Sequence, residues 1–196
     1  MSLTASTMME LGTMAPPFSL PDVCTGKMVS PGRTGRPLLV MFICTHCPYV
    51  IHVRQELARV GRDYSGKVDI IAISANDAAS YPEDSPANLK KMAEDLGFNF
   101  PMCFDETQDV AKAYTAACTP DFFLFDADHR LAYRGQLDGS RKGNEVPVDG
   151  RDLRAAMDAL LAGKAPRADQ FPSIWCNIKW KAGQQPEYFA SALVKK

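Results

Sequence analysis

Cys44-Thr45-His46-Cys47-Pro48 places two thiols three positions apart, where the apolar run Leu38-Leu39-Val40-Met41-Phe42-Ile43 gives way to a helical pattern starting near Pro48. A helix start offers backbone N–H groups without intrahelical acceptors and the positive end of the helix dipole, and both favour thiolate over thiol. Cys44 is the expected nucleophile. Two intervening residues bring the second sulfur within disulfide reach, so Cys47 would resolve a mixed disulfide formed on Cys44. Thr45, His46 and Pro48 are the residues placed to modulate the pair. An imidazolium at His46 would favour the reduced form and make the disulfide more oxidising; an exposed helix residue with little electrostatic effect is the bland alternative.

Two other readings of the pair stay open. Closed zinc centres need four ligands, and no second close Cys or His pair exists: Cys24, Cys103, Cys118 and Cys176 are scattered singly, and His52 and His129 have no ligand spacing. A metal-binding module would have to use Cys44, Cys47 and one histidine. The cysteines could also be inert core residues. No cofactor and no resident metal is expected.

The elements that must position this pair can be read from periodicity. Ala15–Leu20 and Lys27–Val29 flank a turn-rich stretch and predict an N-terminal β-hairpin. Val50, Val53, Leu57 and Val60 recur at helical spacing after Pro48, with Gly61 or Gly66 as the stop. Val68–Ser74 is β-branched and nearly continuous, as in a strand covered on both faces, so a parallel βαβ unit follows. A polar stretch, 75–85, precedes a helix opened by Ser85-Pro86, striped by Leu89, Met92, Ala93 and Leu96, and closed by Gly97. Phe100–Phe104 reads as extended, and Asp105–Gln108 as a variant capping box for a short helix over 109–114. Asp121–Asp126 and Leu131–Gln136 predict a hairpin, and Leu153, Ala156, Met157, Leu160 and Leu161 a last helix ended by Gly163. Ile174, Trp175, Ile178 and Trp180 in the tail read as a cover for the core.

Composition bounds the partners. The 196 residues are 46% hydrophobic and 23% charged with a formal charge of −1, enough for one well-filled domain over 1–196, with a core of about 15–163 and a tail of 164–196. No Lys/Arg cluster is interleaved with aromatics, so nucleic acid is not an expected partner, and no run approaches the length of a membrane span. Met1–Phe18 lacks a basic stretch followed by an apolar run, so the expected address is cytoplasmic. Six cysteines at irregular spacing fit one redox pair among thiols rather than a disulfide scaffold. Monomer and homodimer both remain open.

CxxC at a strand–helix junction, followed by Cys118-Thr119-Pro120 ahead of the apolar strand at 121–126, resembles the thioredoxin-like fold. More narrowly the chain resembles the peroxiredoxin-like branch of the AhpC/TSA redoxin superfamily, from Ala15 to Phe189. The stretches that carry this are Ala15–Leu20, Cys44–Val50, Tyr81–Pro86, Val110–Tyr114, Cys118–Asp126, Tyr133–Asp138 and Cys176–Lys181. The resemblance implies a three-layer α/β domain with N-terminal β-hairpin, helical insertion and C-terminal covering tail. It implies a cis Pro120 packed on the dithiol, with Thr119 and Pro120 seating a substrate chain through the main chain, and Cys118 close enough to be a third redox thiol. The implied role is thiol-disulfide exchange, with protein or small-molecule disulfides and thiols as partners, in cell redox homeostasis or antioxidant defence.

Peroxidase chemistry is a weaker match. With Cys47 in the peroxidatic position of a PxxxTxxC site, Val40 and Cys44 stand where proline and threonine should be, and Pro120 falls near where the activating arginine belongs. An aspartate that many thioredoxins place six residues before the first cysteine is Leu38 here, so proton transfer is expected to need water or another group.

Overall fold

Leu38–Phe42, the strand leading to the dithiol, is completely buried, and in the computed structural model it forms the middle of a five-stranded mixed sheet. Residues 3–194 are described; Met1, Ser2, Lys195 and Lys196, the ends of the expected 1–196 domain, lie outside the described residues. In chain order the elements are β1 (Leu3–Ala5), β2 (Leu20–Pro21), β3 (Met28–Val29), β4 (Leu38–Phe42), α1 (Pro48–Asp63), β5 (Asp69–Ser74), a 3-10 turn (Pro82–Asp84) and α2 (Pro86–Leu96). Then follow β6 (Met102–Phe104), α3 (Asp109–Ala113), β7 (Cys118–Thr119), β8 (Asp121–Phe125), β9 (Leu131–Gly135), α4 (Arg151–Leu161), β10 (Ile174–Asn177) and α5 (Tyr188–Ala192).

The sheet order is β6-β5-β4-β8-β9, with β4, β5 and β6 parallel and β8 and β9 antiparallel to their neighbours. Because both faces are covered, β4 and β5 read as unbroken apolar runs while still alternating between two cores. Leu39, Met41, Ile70 and Ala72 face Val50, Val53, Leu57 and Val60 of α1, together with Leu89 of α2 and Leu153 and Met157 of α4. Val40, Phe42, Ile71 and Ile73 face the other way, toward Phe18, Tyr114, Ile178 and Trp180. There Phe42 packs its ring 5.7 Å from Tyr114 and 5.9 Å from Phe123. Burying each such side chain contributes about 1.5–3 kcal/mol. The result is a thioredoxin-like α/β domain with helices on both sides of a central sheet.

Several local expectations are corrected. The N-terminal hairpin is present, but its limbs are only β2 and β3; residues 12–15 run instead along the β8–β9 turn, where Ala15 N–H donates to the His129 carbonyl at 2.9 Å. Gly61 does not stop α1. It lies within the helix, where a Cβ would meet Asn99 Oδ1 at 2.5 Å and the Phe100 ring at 2.6 Å, so the packing there suits glycine. Ser85 makes no side-chain cap, and α3 opens without a capping box: Gln108 is the N-cap, and the Asp105 carboxylate reaches forward to accept the Ala111 N–H at 2.8 Å. The largest difference is at the two ends of the chain. β1, β10 and β7 form a second antiparallel sheet with Leu3 opposite Cys176 and Cys176 opposite Thr119, so the tail supplies a strand as well as a cover.

Candidate active site

β4 and α1 are joined by Ile43 to Cys47, and Cys47 is the N-cap of α1 with Pro48 as its first residue. Proline suits that position because its missing N–H would be unpaired there anyway. Both sulfurs are nearly closed off: Cys44 and Cys47 are each 1% exposed. The Thr119–Pro120 peptide bond is cis and brings Thr119 against them. Thr119 Oγ1 lies 3.5 Å from Cys44 Sγ, and the Thr119 carbonyl accepts from Cys47 Sγ at 3.2 Å when that thiol is protonated.

A buried carboxylate organises the loop. Asp84, on the 3-10 turn and fully buried, accepts the Thr45 N–H at 2.8 Å and the Thr45 hydroxyl at 2.7 Å. Its other oxygen lies 2.6 Å from His46 Nδ1 and accepts from Asn76 Nδ2, also at 2.6 Å. The His46 ring stacks on Tyr81 at 5.6 Å with an 8° tilt, and Lys179 Nζ lies over the Tyr81 ring, 5.9 Å from its centroid. Asn76 ties this layer to the tail, its Oδ1 accepting the Lys179 N–H at 2.8 Å. His46, Tyr81, Glu83, Asn177 and Lys179 line an open groove beside the dithiol.

Asp84, Asn76, Tyr81, Lys179 and Cys176 have no part in the sequence-based site. Glu83-Asp84 ahead of Ser85-Pro86 was the available signal for Asp84, but in a polar stretch an acid reads as a solvated turn. Asp84 also answers the missing acid at Leu38: the carboxylate near the dithiol comes from the insertion rather than from β4. Cys118, the expected third thiol, is buried on β7 with its Sγ directed at the carbonyls of Pro120 and Ser173, 3.7 and 3.9 Å away. Neighbouring residues of a strand point to opposite faces, so Cys118 turns away from the side of Thr119 that meets the sulfurs. That side is occupied by Cys176, the register partner of Thr119. The main-chain seat expected at Thr119 is therefore paired with the protein's own β10.

The electrostatics follow from these contacts. Hydrogen bonding to Asp84 holds His46 above its ordinary value, against the opposing effect of burial. Burial pushes the Asp84 carboxyl up, but bonds from His46, Thr45 and Asn76 outweigh it and hold the group down at about 2. Cys47 accepts from the thiols of Cys176 and Cys44, and with the Val50 N–H and Thr119 these donors hold it well below an ordinary thiol despite burial. Cys44 is raised, first by its hydrogen bond to Cys47, then by burial and by Asp84. The sequence put the favoured thiolate on Cys44. The structure puts the N-cap position and the converging donors around Cys47, so its surroundings favour negative charge on that sulfur. A sulfur of Cys44, a ring nitrogen of His46 and an oxygen of Asp84 lie within 4.8 Å of one another, although His46 Nδ1 and Asp84 are already bonded to each other.

Comparison with known proteins agrees with this architecture. The family model described as AhpC/TSA family matches residues 11–134. A crystal structure of an uncharacterized conserved protein from Geobacillus kaustophilus is 52% identical, covers 93% of this chain and 98% of its own, and superposes with a TM-score of 0.91. A thiol-disulfide oxidoreductase from Bacteroides fragilis, 22% identical over 62% of this chain and 89% of its own, shares the fold with a TM-score of 0.53. Protein FixW of Rhizobium leguminosarum is 26% identical over 136 residues, which are 66% of this chain but only 62% of FixW.

Proposed function

From the premise that the chain belongs to the AhpC/TSA family, we propose that it is a thiol-disulfide oxidoreductase whose working pair is Cys44 and Cys47. The observation that carries this reading is the buried pair of cysteines at the start of α1, both in contact with Thr119 of the cis Thr119–Pro120 bond. The proton on Cys44 passes along its hydrogen bond to the Cys47 thiolate. Cys47, now a thiol, donates to the Thr119 carbonyl, and Cys44 is left as a thiolate beside the Thr119 hydroxyl and the His46 imidazolium. Cys44 attacks one sulfur of a substrate disulfide, that S–S bond breaks, and the other half leaves as a thiolate. Cys47 then gives up its proton and attacks the Cys44 sulfur, releasing the second half and forming the Cys44–Cys47 disulfide. An external thiol returns the protein to the reduced state.

Access favours a small or extended disulfide entering by the groove of His46, Tyr81 and Lys179, since β10 already occupies the edge of β7. The test is a Cys47→Ser variant, which should accumulate mixed disulfides on Cys44 that dithiothreitol releases. Wild-type protein that never forms a Cys44–Cys47 bond in thiol/disulfide buffers, together with a variant that traps nothing, would sink the proposal. Family membership favours peroxide reduction as a second reading. No arginine is among the groups that act most strongly on the two sulfurs, so peroxide consumption with a supplied reductant should be slow.

A further inference from the structure

Cys176 is the feature that thiol-disulfide exchange by Cys44 and Cys47 does not use. It is 2% exposed and belongs to the same apolar cluster as both dithiol sulfurs. Its position is set by the second sheet: Cys176 stands directly opposite Thr119 in an antiparallel pair, and directly opposed residues project to the same face with Cβ atoms about 4.5–5.5 Å apart. Thr119 is the residue whose hydroxyl and carbonyl meet Cys44 and Cys47. Three sulfurs thus surround one threonine, and Cys47, hydrogen-bonded to the thiols of both Cys44 and Cys176, is the middle one. β10 is held there from both sides, by β1 through Leu3 opposite Cys176 and by Asn76 at the Lys179 N–H.

We propose that Cys176 is a third redox thiol of this site, an internal substrate that exchanges with Cys44 for Cys47. In the oxidised protein the Cys176 thiolate attacks Cys47 Sγ. The Cys44–Cys47 bond breaks, a Cys47–Cys176 bond forms, and Cys44 leaves as a thiolate that takes up the proton given up by Cys176. One disulfide and one thiol are present before and after the step, so no oxidant is consumed. The protein stays oxidised while Cys44 is returned to its reduced form, and the reductant then acts on a disulfide between α1 and the tail. This inference rests on the exchange chemistry proposed for Cys44 and Cys47.

Peptide mapping distinguishes the two bonds. No Lys or Arg lies between Cys44 and Cys47, whereas many separate them from Cys176, so trypsin leaves the first bond as a loop within one peptide and the second as a link between two. The full chain is equilibrated with oxidised and reduced glutathione, alkylated under acid conditions and digested. Wild-type protein is expected to give both products, with Cys44 alkylated wherever Cys47 is linked to Cys176. Cys44→Ser should give the Cys47–Cys176 link, glutathione disulfide first forming a mixed disulfide on Cys47 that Cys176 resolves. Cys176→Ser should give only the Cys44–Cys47 loop, with loss of Cys44 alkylation in the oxidised fraction. If the linked peptide is absent from both wild type and Cys44→Ser while Cys176→Ser still forms the loop, this inference falls and the Cys44–Cys47 reading stands. If no protein forms the loop, both fall.

Discussion

Asp84 raises the His46 imidazole and so favours its cationic form beside the dithiol. The carboxylate is buried, yet five donors or partners from Thr45, His46 and Asn76 hold it ionised, and it in turn raises the imidazole. The charge on Cys47 raises His46 as well, and by reciprocity the imidazolium stabilises that thiolate. Removing it should destabilise the reduced protein. His46→Ala is expected to lower the potential of the Cys44–Cys47 couple by about 20–40 mV, taking about 1–2 kcal/mol for the lost cation at about 30 mV per 1.4 kcal/mol. The sign with pH follows: the cation is present below the raised His46 pKa and lost above it, so the gap between variant and wild type should close as pH rises through that value. Redox titration of both proteins at several pH values checks this.

At the scale of elements, the site depends on how the insertion and the tail are seated. β9 ends at Gly135, whose φ of +142° is a conformation that side chains rarely adopt, and a Cβ there would lie 2.2 Å from the Phe171 carbonyl oxygen. Close approach is needed because the next residue, Gln136, donates its N–H to that carbonyl at 2.9 Å, which aligns the chain leading to β10. Gly135→Ala should therefore destabilise the fold by about 2–4 kcal/mol, combining backbone strain and overpacking, and should speed alkylation of Cys176 as β10 loosens. Thermal unfolding and thiol-labelling rates measure the two effects. A normal melting temperature with unchanged labelling would refute the proposed dependence.

For the whole molecule, two buried carboxyls shape stability against pH in opposite senses. Asp84 is depressed, from 3.8 to about 2, so its contribution is present above the unfolded value and is lost as pH falls through about 2. Asp121 is raised to about 7, chiefly by burial against weaker backbone N–H bonds, and one of its carboxyl oxygens has no hydrogen-bond partner. The folded state then holds a proton that the unfolded chain has released. Stability falls as pH rises from 3.8 toward 7 and levels off above it. Asp121→Asn, close in shape to the protonated acid, should match wild type near pH 4 and exceed it by a few kcal/mol at about pH 8. Denaturant unfolding at the two pH values decides it, and equal stability at both would show that Asp121 carries no such burden.

Local signals were enough for some of this protein. The CxxC at the end of an apolar run, Pro48 at the head of α1, and the periodicity of Val50, Val53 and Leu57 are all consequences of short-range spacing, and the sequence by itself determined the central strands, the main helices and the pairing of Thr119-Pro120 with the dithiol by resemblance. What it could not supply were contacts between residues far apart in the chain. Asp84 reaches His46 across 38 residues, and Cys176 comes to Thr119 across 57 through a two-residue register that leaves no periodic mark. β1 and β10 are strands only because they find partners, β1 in β10 and β10 in both β1 and β7, since three or four residues carry too little propensity to declare an extended state alone. Which sulfur the surroundings favour for the charge likewise depends on tertiary structure: helix position favours a thiolate at the start of α1, but of the donors that converge on Cys47, Thr119 and Cys176 come from distant strands.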